Sequence, residues 1–574
     1  MKIPKLFPFA CVALMMTACA SDKDEMGGGT KPGSDPQYLA VNIVNVGATP
    51  TTRATDDYEN GTTDESTIKK VRFYFFNGDG SPYLIKNPGV TGVEGGENKN
   101  WLEASPADDS STSGTPSQIE KITQTVLVIN GVQSAAPAAI VAVVNPGTVD
   151  AAKIQDGETM RLSELRYSTV GSQFYKKDAT TGAVSDFVMS NSVYVNAGED
   201  VCASLVAGHV TTSEETARKK PVDLYVERVV AKVTADVDKT AFKLGNGTDW
   251  DATKYGTTAP VGKSGDYDVY AVIDGWGLAN ENGKAEVEKQ VKKTWTDGNL
   301  GFSPWTTADY HRCFWESSVA FDAGAGGNQP VNPKFNQLKA KMQDVLYTLP
   351  NTSENEVTNL KDNDLTKFAV AATLRYKDAA GNWHDAEICR YNGVSILGID
   401  NLKRQVALTF SQYYTSTDAT NYTQLSKDDI DFKNPDGTMQ QYRVTPTLAN
   451  DPTGTKKYYT KTTTGTTPTF TEVDKATVLA AIEADKAEIR LGGRAYYYVP
   501  IKHLGSANKI AEYGIVRNHF YKITLSGITG FGTPVYDPEK VVDPIVPTYE
   551  NTYLAARVQV LQWRVVNQNA SLGN

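Results

Sequence analysis

The chain is poor in the residues that build reactive centres. Its 574 residues include only 5 histidines and 5 cysteines. The histidines, His209, His311, His384, His503 and His519, are scattered, and no His-Glu-x-x-His or Cys-x-x-Cys spacing gathers them into a metal site. Glycine-rich stretches do not follow a strand and open a helix, so no phosphate-cradling loop is indicated. Acidic pairs such as Asp108-Asp109 fall in solvated loops, where nothing would raise a carboxyl pKa. His384 and Cys389 lie near Trp383, which an ordinary surface or core pair explains. Catalysis is not expected, and no cofactor or metal is implied.

Positive charge is also short. With Lys+Arg 57 against Asp+Glu 67 and a net charge of −10, no basic excess points to nucleic acid or to an anionic membrane surface. Cysteine usage excludes a disulfide framework: Cys11 and Cys19 belong to the N-terminal segment, leaving Cys202, Cys313 and Cys389 widely spaced and odd in number. They read as small buried apolar side chains, with one bridging pair left open. After Cys19 no apolar run approaches the ~20 residues of a spanning helix.

What is present begins with processing marks. Lys2 and Lys5 precede an apolar run over residues 6–16, and Thr17-Ala18-Cys19 closes it, which is the pattern of a signal peptide (1–18) rather than a span. Small residues before Cys19 suit a lipoprotein signal peptidase, so Cys19 is the expected lipidation site. The alternative is an ordinary secretory signal with Cys19 incidental. Acyl chains contribute roughly 0.8 kcal/mol per buried CH₂, and several chains on one cysteine make a durable anchor. Ser21-Asp22-Lys23-Asp24-Glu25 resembles the signal that sends Bacteroidetes lipoproteins to the outer face of the outer membrane. Residues 27–37, rich in Gly, Pro and Ser, read as a tether. Residues 38–46 then read as a strand, stopped by Pro50 and a polar stretch holding a lone Arg53 before Ala54. An arginine so placed is open to a trypsin-like protease.

The remainder is strand-rich and long enough for two domains. Lys70-Val71-Arg72-Phe73-Tyr74-Phe75-Phe76 is a strand ended by Asn77-Gly78-Asp79-Gly80, a plain turn with only a passing likeness to a calcium loop. Residues 125–130 and 139–145 are apolar runs like buried strands of a sandwich core. After Pro221, Val222, Leu224 and Val226 alternate in one phase and Val229, Ala231, Val233 and Ala235 in the other. The slip at Glu227-Arg228 predicts a bulge or a strand that leaves one sheet for another, and the boundary is placed near 220. Further strands are expected at 368–376 and 403–410. Helical spacing is read at Phe335, Leu338, Met342, Val345 and Leu346, and again at Leu479, Ile482 and Ile489, as covers over sheet edges. Residues 513–525 read as a core strand entered from a polar turn. Prolines then space the chain over 538–547, and a last apolar strand follows over 553–566.

These residues resemble the type V fimbrial subunits of Bacteroidales, the fimbrillins. The likeness rests on Thr17-Ala18-Cys19, Thr52-Arg53-Ala54, Lys70-Val71-Arg72-Phe73-Tyr74-Phe75, Val226-Glu227-Arg228-Val229-Val230-Ala231-Lys232, residues 273–276 and Leu349-Pro350-Asn351-Thr352. It is nearest at Val516-Arg517-Asn518-His519-Phe520-Tyr521 and at Val558-Gln559-Val560-Leu561-Gln562-Trp563-Arg564-Val565. The resemblance implies an all-β chain of two tandem transthyretin-like β-sandwich domains with a few short helices and long loops. It divides the sequence into a propeptide (19–53) carrying tether and removable first strand, an N-terminal domain (54–220), a C-terminal domain (221–535), and a linker with donor strand (536–574).

It further implies a stalk subunit exported as a lipidated precursor, cut between Arg53 and Ala54, and polymerised by donor-strand exchange in support of adhesion and biofilm formation. Val558, Val560, Leu561, Trp563 and Val565 would carry the donor strand. The partners implied are further copies of the same subunit, accessory tip and anchor subunits, and the outer membrane while the lipid is attached. The threonine-rich segment within 451–489 looks like an insertion. Two other readings compete: a surface lipoprotein that serves as tip or anchor adhesin, or one that binds glycans through its 29 tyrosines and 8 tryptophans. Neither needs both the cut and a spacer followed by an orphan strand.

Overall fold

The computed structural model describes residues 37–45, 62–86, 98–105, 121–132, 135–148, 153–154, 157–171, 173–196, 199–291, 315–322, 324, 326–352, 365–434, 437–440, 442–503, 513–544, 553–561 and 566–567. Strands dominate and helices are few and short, an all-β fold. The first sheet is built from β1 (Gln37–Asn45), β2 (Val71–Phe76), β3 (Trp101–Ala104), β4 (Lys121–Ile129), β5 (Ala139–Val144), β6 (Met189–Asn191) and β7 (Val222–Arg228). Its order is β3-β2-β5-β6-β7-β1-β4. The continuous apolar runs of β2 and β5 are buried on both faces, as such runs must be. The two edges approach through Ile85, which bridges Lys99 on one side and Gly131 on the other.

The slip at Glu227-Arg228 marks a strand that changes sheet. β7 stays in the first sheet, Val229 and Val230 pass fully buried through the seam, and β8 (Ala231–Val237) enters a second unit. The first sheet therefore runs on past residue 220. In the second unit one sheet pairs β8 with β10 (Val345–Thr348) and, in parallel, with β13 (Phe520–Thr529). The facing sheet is centred on β9 (Tyr267–Ala279), β11 (Lys367–Lys377) and β12 (Arg494–Pro500). Val233 and Ala235 from one sheet and Val370, Ala372 and Tyr497 from the other share a single core, the arrangement of a sandwich. Asn518, left-handed at φ 55°, supplies the polar turn before β13, a conformation asparagine tolerates.

Between β11 and β12 the chain builds a further body with its own core, including Tyr391, Leu402, Val406, Phe432, Tyr458 and Ile482. The inserted module thus begins well before Asp451. The strand expected at 403–410 is instead the helix Ile399–Thr409. Leu402, Val406 and Phe410 recur at four-residue spacing and are buried while Leu408 is 65% exposed, so the helical period wins over the alternating one.

The helix expected around Phe335 is a single turn, Phe335–Gln337, followed by β10. Gln343, at φ 75°, breaks any helical continuation. Leu479 and Ile482 do lie on a helix, Lys475–Glu483, capped by Asp474, whereas Ile489 ends the strand Ala487–Ile489. At Asn77–Gly80 the Asp79 carboxylate accepts hydrogen bonds from the Ser81 backbone (2.9 Å) and hydroxyl (2.6 Å), so it is spent on the turn. Cys202 and Cys389 are buried thiols, as small apolar side chains would be.

Candidate functional site

The site is the slot that β1 fills. β1 runs antiparallel to β4 from Gln37↔Ile129 to Asn45↔Lys121, and parallel to β7 from Val41↔Val222 to Asn45↔Val226. Among the described residues β4 has no other ladder partner. Leu39, Val41 and Ile43 recur with the strand period and are fully buried in the first core. Burial of side chains of this kind contributes roughly 1.5–3 kcal/mol each. On the other side the short helix Glu214–Lys219 lies against β1. Ala40 and Ala217 are both fully buried. Tyr38 exchanges backbone hydrogen bonds with Thr211, donating at 2.7 Å and accepting at 2.9 Å. Withdrawing β1 would strip the ladder from β4, expose the edge of β7 and open a gap in a close-packed interior.

At the other end of the chain, β14 (Tyr553–Leu561) is laid antiparallel along β13, from Phe520↔Leu561 to Thr529↔Tyr553, with a register shift between Leu525 and Gly527. Residues 566–567 pair back on it. The strand to which the fimbrillin resemblance assigns a donor role is thus paired at the edge of its own sheet. An apolar strand left unpaired would template unwanted association, and β13 offers the open edge that covers it. Val558 and Val560 stand in register with Ile523 and Tyr521, which face the second core.

Arg53 and Ala54, the expected cut, lie outside the described residues, as do Cys19, Trp563 and Val565. Val558, Val560 and Leu561 lie in β14. Residues 62–66 form a feature the sequence reading missed. Thr62 and Glu65 form a reciprocal capping box, with backbone-to-side-chain bonds of 2.8 and 3.2 Å. Glu65 pairs with Lys232 at 2.9 Å and accepts from the Tyr347 hydroxyl. Burial pushes its carboxyl up, but Lys232 and Tyr347 outweigh burial and hold it below the usual range. Arg228 joins the same seam, donating to the Glu65 carbonyl (2.7 Å), Ser66 (2.8 Å) and Asn518 (3.1 Å). Lys289–Glu227 (2.9 Å) and Arg517–Glu316 (2.7 Å) are further buried pairs nearby. Thr62-x-x-Glu65 was the available signal, but its partners are remote in sequence.

Among the described residues no group of His, Cys, Asp and Glu is placed to hold a metal ion, and no helix is long and apolar enough to cross a membrane. What the β1 slot offers is strand pairing.

Residues 491–569 match the family described as major fimbrial subunit protein type IV, fimbrillin, C-terminal. That stretch takes in β12, β13 and β14, and over it the resemblance to fimbrillins holds. No curated protein matches the chain. Among solved structures, a candidate cell adhesion protein from Parabacteroides distasonis is similar at 12% identity over 94% of this chain and 99% of its own, with a TM-score of 0.37. One from Bacteroides eggerthii is similar at 12% identity over 94% and 98%, TM-score 0.35. The tip fimbrial protein Mfa3 from Porphyromonas gingivalis, with a C-terminal truncation, is similar at 10% identity over 92% and 100%, TM-score 0.30.

Proposed function

From the fimbrillin-like C-terminal part and the geometry of the β1 slot, we propose that this chain is a structural subunit of a cell-surface fimbrium, assembled by strand exchange. The precursor is exported, lipidated at Cys19 and held at the outer membrane, then cut between Arg53 and Ala54. The cut detaches β1 from the body of the chain, and the C-terminal strand of another copy fills the slot. Main-chain hydrogen bonds hold the inserted strand while alternate side chains fill the core. Two apolar phases are available for this, one holding Val558 and Val560, the other Leu561, Trp563 and Val565. The contact is head to tail and does not close on itself, so it propagates into a filament that serves adhesion.

The observation that carries this reading is the position of β1: a strand with Leu39, Ala40, Val41 and Ile43 fully buried, bridging β4 and β7 and linked along the chain to the rest of the domain through the stretch that holds Arg53. A second reading has its own support. With β14 paired along β13, a single copy covers that edge itself, which suits a surface lipoprotein that caps or anchors a fibre and does not polymerise.

The N-terminal sequence and intact mass of the protein sheared from cells separate the two. A start at Ala54 without lipid is expected for a polymerised subunit. A lipidated start at Cys19 would mean that β1 stays in place, and the polymer reading would fall.

A further inference from the structure

The displaceable strand and the C-terminal strand share a tripeptide near their starts. β1 carries Tyr38-Leu39-Ala40, β14 carries Tyr553-Leu554-Ala555, and the likeness continues in phase. Val41 and Ile43 follow at alternate positions in the first, Ala556 and Val558 in the second.

Each of these positions meets a distinct demand in the slot. Leu39, Val41 and Ile43 project into the first core. Ala40 is fully buried but lies apart from that core, on a strand against which the helix of Ala217 is laid, so its place suits a small side chain. Apolar at the first, third and fifth places and small at the second is therefore the specification that an incoming strand has to meet.

We propose that β14 of a second copy enters the slot in the register set by the shared tripeptide. Leu554, Ala556 and Val558 take the places of Leu39, Val41 and Ile43, and Ala555 takes the place of Ala40. This rests on the strand-exchange reading above and names the residues that determine its register. The competing register, with Leu561, Trp563 and Val565 inward, puts an indole where Val41 sits and Gln562 in the confined place of Ala40. A close-packed interior answers such enlargement with strain. The exchange also has a physical direction. Along β13 the strand has one long ladder and a short return at residues 566–567, whereas the slot offers ladders to both β4 and β7 and cover on both faces.

Cross-linking between copies tests the register. Ala40 stands opposite Val126 on β4, so full-length acceptor carrying Val126→Cys is cut at Arg53, mixed with full-length donor carrying Ala555→Cys, and oxidised. Directly opposed positions lie within disulfide reach. A disulfide-linked dimer on a non-reducing gel is expected, and none with donor Gln562→Cys. Linking through Gln562→Cys, or through neither position while the unsubstituted protein forms ladders, overturns the register and leaves strand exchange standing. Absence of ladders from the unsubstituted cut protein overturns strand exchange and the register with it.

A peptide arm keeps the proposal open to refutation if a substituted chain misfolds. A peptide of residues 552–560 is expected to bind the cut protein at least tenfold more tightly than one of residues 559–567, and to lose at least tenfold on Ala555→Arg. Tighter binding by the 559–567 peptide, or indifference to Ala555→Arg, overturns the register.

Discussion

Glu65 is the residue through which the capped turn at 62–66 grips both units. Its side chain meets Lys232 of β8 and Tyr347 of β10, and its carbonyl takes a hydrogen bond from Arg228 at the end of β7. Removing one partner of a buried ion pair leaves the other uncompensated and costs about 3–5 kcal/mol. Glu65→Gln is therefore expected to lower unfolding stability by that amount in a denaturant titration at neutral pH. Because the folded carboxyl titrates below its ordinary value of 4.5, its contribution is complete above that pH and is lost as pH falls through the folded value. The difference between Glu65→Gln and the parent should shrink in the same acidic window; a difference independent of pH would refute the ion-pair account. Half of this feature was legible, since Thr62-x-x-Glu65 is a capping box on sight. The other half was not, because Lys232 and Tyr347 arrive by tertiary folding.

At the scale of the element, continuous apolar runs and strict alternation were enough to find β2, β5, β7, β8 and β11, because both patterns follow from the two-residue period of a strand. They failed over 403–410, where Val406, Leu408 and Phe410 alternate by chance and only Leu402, a turn earlier, reveals the helical face. They also gave no hint that β14 rests on β13, since an edge strand and an exported strand share one composition. That ambiguity yields a prediction. Deleting residues 553–574 uncovers the edge of β13 but leaves Tyr521, Ile523 and Leu525 facing the opposite sheet. The deleted chain should fold and be exported with a lowered melting temperature, because the β13–β14 ladder is lost, and form no ladders on mild SDS gels. Ladders that persist would remove the donor role from the C-terminal strand.

At the scale of the molecule, two sheet systems share a charged seam, and a third body is carried on the second of them. The sequence suggested an insertion only where threonines cluster, because 388–450 alternates apolar and polar residues as any domain does. The ends of the inserted body lie together: Tyr391 stands opposite Ala487, and Cys389 opposite Ile489, in one antiparallel pair. Ile388 and Ala386 belong instead to the second core, and Arg490 donates to the carbonyls of Phe531 (2.8 Å) and Gly532 (2.6 Å), so the host begins again at once on either side.

Replacing 392–486 by an Asn-Gly turn should therefore close the pair as a hairpin. The host would lose, among others, the hydrogen bonds from Tyr536 to Phe432 (3.1 Å), from Gln440 to Val541 (2.6 Å), from Val541 to Thr438 (3.0 Å) and from Gly398 to Glu387 (2.9 Å). At about 1 kcal/mol each, these losses lower the melting temperature of the host by roughly 10 °C. The inserted body supplies neither β1 nor β14, so ladders should still form after cutting at Arg53. Loss of the cooperative transition would show that the module completes the second core, and ladders lost from a folded host would place it in the contact between subunits.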